Sequence, residues 1–416
     1  MNESDEGKTS YHLFERFGVE MEYMIVDFST LDVRPVADAL LANASGENGA
    51  SEAEFGRISW SNELVRHVIE FKGTDPEPSL DGLDALFQTE AIRANSMLAE
   101  MGCRLMPTGM HPWMNPHTET VLWPYGNKEI YRTFDRIFDC KGHGWSNLQS
   151  THINLPFCGD EEFHRLHSAI RIALPLIPAI TASTPFADGK ATQFLDTRLE
   201  TYRHNCDRVP SITAGVVPGV VASKSDYEEN ILGAIYRDME KLDPEGILRH
   251  EWVNARGAIA RFERDTIEIR VIDLQECPKA DMAIVQYVVA IVRALAENRL
   301  STTAAQDAVP QNELKTLFAD ATRTGCGAKV SGKWLAEALG MSDCGTMTLG
   351  EIHAHLFDRV VPQTARWKDH VGMILRDGNL AQRILKATGK KPSREKLKEV
   401  YGHLTDGLAK GIAFQP

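Results

Sequence analysis

Alternation of apolar and polar positions marks four stretches of the chain. Over Phe17–Phe28 (FGVEMEYMIVDF), Val19, Met21, Tyr23 and Ile25 fall on one side of an extended backbone, and Glu20 and Glu22 on the other. A second strand is predicted over Leu64–Phe71. A third covers Ser150–Phe157, with Ile153 and Leu155 opposite His152 and Asn154. Residues 258–273 (AIARFERDTIEIRVID) predict two strands around a tight turn at Arg264–Asp265. Helices are expected from Leu80 to about Met101, from Asp160 to Ala182 with a break at Pro175 and Pro178, and from Ala280 to about Asn298. Residues 43–57, rich in Gly, Ser and Asn, and the proline-containing 102–128 read as loops, the latter after a strand end. Residues 184–223 form a long irregular segment carrying Arg198, Arg203 and Arg208, and long segments of this kind are more often functional than idle. After about residue 300 the strand signals stop and helical periodicity takes over. The chain divides into a short tail (1–15), a body (16–300) and a helical C-terminal region (301–416) packed on it.

A chain of 416 residues holds two ordinary domains, or one large body with an appendage. Its 45 Lys and Arg against 58 Asp and Glu give a net charge of -13, which argues against a general nucleic-acid partner. The seven cysteines are scattered without a CxxC pair, so neither a disulfide framework nor a cysteine-rich zinc site is expected. The polar, acidic start does not resemble a signal peptide, and no apolar run approaches the ~20 residues that span a bilayer. The expected location is the cytoplasm, with a homodimer through sheet edges as the possible assembly.

The chemistry lies in acidic residues on strands. Glu20 and Glu22 share a face roughly 7 Å apart, and like charges so placed repel unless water, cations or basic groups lie between them. A solvated edge strand carries the same pattern, so this pair alone decides nothing. Glu63 and Glu70 bracket the second strand at an odd spacing of seven. They serve one site only if Glu63 precedes the strand or a bulge intervenes. His152 and Asn154 occupy the polar face of their strand, and Glu268 and Arg270 alternate with Ile267, Ile269 and Val271. Brought together, Glu20, Glu22, Glu63, Glu70, His152 and Glu268 form an oxygen-dominated set suited to Mg²⁺ or Mn²⁺ rather than zinc. No GxxxxGK[ST], GxGxxG or GxSxG motif is present, so a nucleotide would be held by metals and arginines. Arg256 and Arg261 are weaker candidates whose default reading is structural ion pairing, and His111, in the Gly109-Met-His-Pro loop, reads as a turn residue before it reads as a pocket wall.

The stretches FGVEMEYMIVD, ELVRHVIEFKGT, GMHP, STHINLPF and NARGAIARFERDTIEIRVIDLQECP, in this order, resemble the glutamate–cysteine ligase type 2 branch of the carboxylate–amine ligases. The resemblance implies an α+β fold. A curved, mainly antiparallel sheet of the glutamine synthetase type would carry helices on its outer face and hold ATP and Mg²⁺ on its concave face. Residue by residue, it implies metal-binding roles for Glu20, Glu22, Glu63, Glu70, His152 and Glu268. Arg270 would face the transferred phosphate, and Arg198 or Arg203 would be the substrate or phosphate arginine, one of them sharing with Arg270 the charge on the phosphoryl group in transit. Asn154, Arg256 and Arg261 are the further candidates for the nucleotide site. The implied reaction activates the γ-carboxylate of glutamate as an acyl phosphate, which an amine such as cysteine then captures. Glu22, His152 and Glu268 would hold the nucleotide-side ion, and Glu20, Glu63 and Glu70 the ion shared with the acceptor carboxylate. A guanidino-type phosphotransferase and a non-catalytic nucleotide- or amino-acid-binding homologue are the competing readings.

Overall fold

The computed structural model describes residues 10–331, 333–341 and 345–416. Most of the predicted tail and one cysteine, Cys344, therefore lie outside the described residues. The strands are β1 (Gly18–Asp27), β2 (Glu52–Phe55), β3 (Ile58–Asn62), β4 (Val68–Gly73), β5 (Cys103–Met106), β6 (Ser150–Pro156), β7 (Phe186–Ala187), β8 (Lys190–Ala191), β9 (Ala258–Arg261), β10 (Thr266–Asp273), β11 (Lys329–Ser331) and β12 (Thr346–Thr348). Eight of them build one sheet in the order β2-β3-β4-β1-β6-β10-β9, with β5 paired to the far half of β1. Every pairing in it is antiparallel. This is the α+β architecture that the alternation and the resemblance predict.

The two faces of β1 explain the architecture. Val19, Met21, Tyr23 and Ile25 enter the main core, where Tyr23, Phe71 and Trp60 stack at centroid separations of 5.2 Å. Helices Leu83–Ala99, Gly159–Ala173 and Pro278–Ala296 contribute buried faces to the same core. On the opposite face, β1 is polar at Glu20 and Glu22 and apolar at Met24 and Val26. The apolar half is covered by a second cluster: Met106, Trp113, Phe186 and the inner sides of helices Leu380–Thr388 and Arg394–Lys410. The C-terminal helices thus close one end of the sheet face and leave the other end open.

A buried ion pair fastens that closure. Arg383 Nη1 lies 2.8 Å from Glu276 Oε1 and donates to the Phe414 carbonyl at 2.6 Å, with both side chains almost fully buried. Removing one partner of such a pair leaves an uncompensated buried charge. Arg383→Ala is expected to lower unfolding stability by about 3–5 kcal/mol in denaturant titration.

Several boundaries differ from the sequence expectation. The predicted loop 43–57 contains the end of helix Ala37–Ser45, strand β2 and the turn into β3 at Gly56 (φ 74°), a left-handed position glycine adopts without strain. The predicted strand Leu64–Phe71 begins only at Val68. A helix, Lys128–Phe138, follows the irregular loop, and the Asp160–Ala182 helix breaks into a 3₁₀ turn at Leu174–Leu176 and a short helix, Pro178–Thr181. The segment 184–223 is irregular as expected, apart from the β7–β8 hairpin and helix Thr197–Tyr202. After residue 300 the antiparallel pair β11–β12 interrupts the helices. At the other end of the chain, Phe14 packs into the core and the Leu13 amide bonds Glu162, so the last residues of the predicted tail belong to the body.

Candidate active site

Register brings the acidic residues together. Glu20 sits opposite Lys72 on β4 and His152 on β6, Glu22 sits opposite Glu70, and Glu268 sits opposite Asn154. Glu63 lies in the turn before β4, which removes the parity conflict of its spacing from Glu70. Oxygen and nitrogen atoms of Glu20, Glu70 and His152, and oxygens of Glu22, Glu63 and Glu70, lie within 4.8 Å of one another in two groups that share Glu70. These groups differ from the division expected from the resemblance, which joined Glu22 to His152 and Glu268, and Glu20 to Glu63. The exchange follows from pairing: Glu20 lies beside His152, and Glu22 lies beside Glu70.

Each member is held by a defined partner. His152 Nδ1 is 3.0 Å from Glu20 Oε2, and its Nε2 is 2.8 Å from Ser150 Oγ. The Ser150 amide and hydroxyl donate to Glu22 Oε2 at 2.6 and 2.9 Å. Asn154 Nδ2 donates to Glu20 Oε1 at 3.0 Å, and Ser61 Oγ to Glu70 Oε2 at 2.5 Å. Glu268 is gripped by Arg261 Nε at 2.7 Å and Arg270 Nη1 at 2.8 Å, with its Oε1 3.7 Å from His152 Nδ1.

The charges are finely divided. Burial, then the adjacent Glu22 and Glu70 carboxylates, pushes Glu63 well above the usual carboxylate range. Burial, then Glu20, pushes Glu70 up to about 8. Against the same burial, the His152 hydrogen bond holds Glu20 low, and Arg261 and Arg270 hold Glu268 far down. His152 is raised against its burial by Glu20. Protein cations therefore compensate Glu20 and Glu268, while burial and like charge disfavour the ionised forms of Glu63 and Glu70. A buried set of carboxylate oxygens with one imidazole, short of positive charge at Glu63 and Glu70, fits Mg²⁺ or Mn²⁺.

Two adjoining cavities meet at this cluster. One of about 440 Å³ is lined by Glu20, Glu22, Glu63, Glu70, His152, Glu268, Arg261 and Arg270, with Lys72 and His250 among its other walls. The second, about 200 Å³, shares Glu22, Glu63, Tyr131, Phe134, Trp252 and Arg270 and adds Arg198, Tyr202, Asn205 and Trp145. Arg198 is fully buried, with Nε 2.5 Å from Asp273 Oδ1.

Three arginine and amide expectations change. Arg203 lines neither cavity; it sits at the C-terminal end of helix Thr197–Tyr202, paired to Glu200 at 2.9 Å. Arg256 also lines neither; its Nη1 donates to Asn254 Oδ1 at 3.0 Å. Asn154 stands behind Glu20 and orients it rather than lining a cavity. Arg261 does line the larger cavity, and His111 is buried in its loop against the Leu31 carbonyl. Sequence reading missed Ser150, Ser61, Tyr131, Trp252 and Asp273. The position of Ser150, two residues before His152 on the same strand face, was the one available signal.

A sequence profile of glutamate–cysteine ligase family 2 matches residues 16–403, a span that holds every site residue named above. The chain belongs to glutamate–cysteine ligase family 2. Among the relatives of this family 2 chain, an uncharacterized protein of Archaeoglobus fulgidus is 38% identical over 277 residues, covering 67% of this chain and 74% of its own. A putative glutamate–cysteine ligase 2-3 of Rubrobacter xylanophilus is 25% identical over 270 residues, 63% of this chain and 64% of its own. Among solved structures, a glutamate–cysteine ligase of Francisella tularensis in complex with AMP superposes with a TM-score of 0.61 at 11% identity, covering 97% of this chain and 90% of its own. A bifunctional glutathione synthetase of Pasteurella multocida gives 0.54 at 12% identity, covering 96% of this chain and 53% of its own. The two structures share the fold, and family 2 membership supports a carboxylate–amine ligase. Among the described residues, no helix is long and apolar enough to cross a membrane.

Proposed function

We propose that this family 2 chain is an ATP- and magnesium-dependent ligase that joins the γ-carboxylate of glutamate to an amine such as cysteine. The observation that carries this reading is the pair of ligand groups sharing Glu70 where the two cavities meet, with Arg270 lining both. Glu20, Glu70 and His152 would hold one ion, with Glu268 bordering it, and Glu22, Glu63 and Glu70 the other. Bound Mg²⁺ would neutralise and orient the phosphate oxygens of ATP.

A carboxylate is a poor acyl donor because oxide would have to leave. A γ-carboxylate oxygen of glutamate attacks the γ-phosphorus of ATP, ADP departs, and an acyl phosphate results. The amine nitrogen then attacks the acyl carbon, the C–O bond to phosphate breaks, and the amine proton passes to solvent as inorganic phosphate leaves. Phosphoryl transfer asks the protein for positioning and charge neutralisation. Arg270, at the boundary of the two cavities and fixed by Glu268, is placed to stabilise the phosphoryl group in transit. Arg198 lines only the smaller cavity, which supports a role toward the carboxylate substrate. Asn154 and Ser150 hold Glu20, Glu22 and His152 in register.

The test incubates the protein with ATP, Mg²⁺, glutamate and a panel of amines that includes cysteine. Phosphate release with a product mass equal to glutamate plus amine minus water is the expected result. Phosphate retained on an organic substrate would instead mark a guanidino-type phosphotransferase, and no ATP turnover with any amine would leave a binding homologue.

A further inference from the structure

Arg171 and Arg198 are both buried arginines, yet their hydrogen bonding differs. Arg171 donates from Nε, Nη1 and Nη2 to the carbonyls of Pro218, Gln306 and Val309, as a purely structural arginine does. Arg198 donates from Nε to Asp273, while its buried Nη2 has no partner among the described residues. An unsatisfied buried donor is costly, and one on a residue that lines a cavity can be completed by an oxygen of whatever enters it. Arg198 lines the smaller cavity and Arg171 does not.

Asp273, the residue that grips this arginine, is itself fixed from several sides. Its Oδ2 accepts from the Ser183 amide at 2.8 Å, the Ser183 hydroxyl at 3.2 Å and the Thr184 hydroxyl at 3.1 Å. Thr184 Oγ1 also accepts the Arg198 amide at 3.1 Å, and Ser183 Oγ accepts the Gly109 amide at 2.9 Å. A Cβ at Gly109 would lie 2.8 Å from Asp273 Oδ1, so this glycine gives the carboxylate its space. Asp196 is the second acid beside the arginine. Its Oδ1 accepts from the Leu199 amide, and burial, then the neighbouring Asp273 carboxylate, pushes it well above the usual carboxylate range.

We infer that Asp273 is a positioning residue for substrate recognition: held by Ser183, Thr184 and the space at Gly109, it fixes Arg198 through Nε and leaves the guanidinium's Nη end to receive a carboxylate of the donor amino acid. The inference rests on the ligase reading for the identity of that carboxylate, and on the geometry alone for the Arg198–Asp273 unit. It also gives a role to the glycine of the Gly109-Met-His-Pro motif, which touches none of the cation-site residues.

The experiment compares wild type, Asp273→Asn and Gly109→Ala. Asn keeps one acceptor oxygen toward Arg198 Nε without the charge and turns its NH2 toward the Ser183 and Thr184 donors, and weakening the hydrogen bond that orients a recognition arginine corresponds to a change on the order of tenfold or more. The expected result is a rise of about tenfold in KM for glutamate, with KM for ATP within about twofold. In an Arg198→Ala background, Asp273→Asn should add nothing further. A lowered Tm or kcat with an unchanged glutamate KM would mean a purely structural role and overturn the inference. If Asp273→Asn fails to fold, Gly109→Ala must give the same glutamate-specific rise, and its absence overturns the inference equally. Calorimetric binding of glutamate in the presence of Mg²⁺ separates the two readings. Without turnover in wild type the ligase reading falls, while a weakened glutamate Kd in the variants still supports the Arg198–Asp273 unit; equal Kd values, or no binding to wild type, sink that unit.

Discussion

Glu70→Gln is expected to abolish turnover and, in the metal-free protein, to raise the melting temperature. Glu70 belongs to both ligand groups, so the amide removes a ligand from each at once. Loss of an outer-shell partner alone lowers metal affinity or activity 10–100-fold, so loss of a shared direct ligand should exceed about a hundredfold in kcat. The stability effect has the opposite sign because the carboxylate is buried among others. Its folded pKa is raised from 4.5 to about 8, so the folded state binds more protons than the unfolded chain between those values. Glu70's contribution is complete below pH 4.5 and is lost as pH rises through about 8. Thermal melts without divalent cation should show wild type weakening over that window and the variant weakening less. Mg²⁺ should stabilise wild type more at pH 8 than at pH 6, because protons compete for the same oxygens. A variant no more stable than wild type at pH 8, with the Mg²⁺ response intact, would remove Glu70 from the cation site.

Arg270→Lys is expected to lower kcat by roughly a thousandfold while leaving the fold in place, in line with the effect of removing an arginine that stabilises a transferring phosphoryl group. Lysine keeps the charge but loses the planar fork that meets Glu268 and a phosphoryl oxygen together. Glu268 retains Arg261 at 2.7 Å, so its charge stays compensated and the variant should remain stable. Arg270 Nε is a buried donor without a partner among the described residues, consistent with a group awaiting an anion. Pre-steady-state measurement of ADP formation checks the claim. A burst of ADP at the wild-type rate would show that Arg270 acts after phosphoryl transfer instead.

The polar face of the sheet was legible in the sequence because β1 and β6 each bury one side completely, which fixes alternation residue by residue. Glu20, Glu22, His152 and Glu268 followed from that period alone. Glu63 did not, since its place depends on where β4 begins, and a turn of a few residues decides parity. The grouping of the ligands was hidden for a related reason: it depends on which strands are neighbours, and β1 lies between β4 and β6 rather than beside β10. Arg198 and Arg203 look equivalent as text, yet one enters its helix beside Asp196 and Asp273 and the other leaves it near the surface. The β2 strand was missed because its four residues carry two exposed glutamates within a Gly- and Ser-rich stretch, so local composition outweighed a weak alternation.

Strand β1 holds two acids of the proposed cation site and the seat of the C-terminal helices on one face, with the main core on the other. A slip of one residue against β4 or β6 would drive Glu20 and Glu22 into hydrocarbon and turn Val19, Met21 and Tyr23 out to water, while unseating the helices packed over Met24 and Val26. Misregistered chains are thereby denied both compartments together, so in this protein the proposed cation site and the capacity to finish folding depend on the same ten residues.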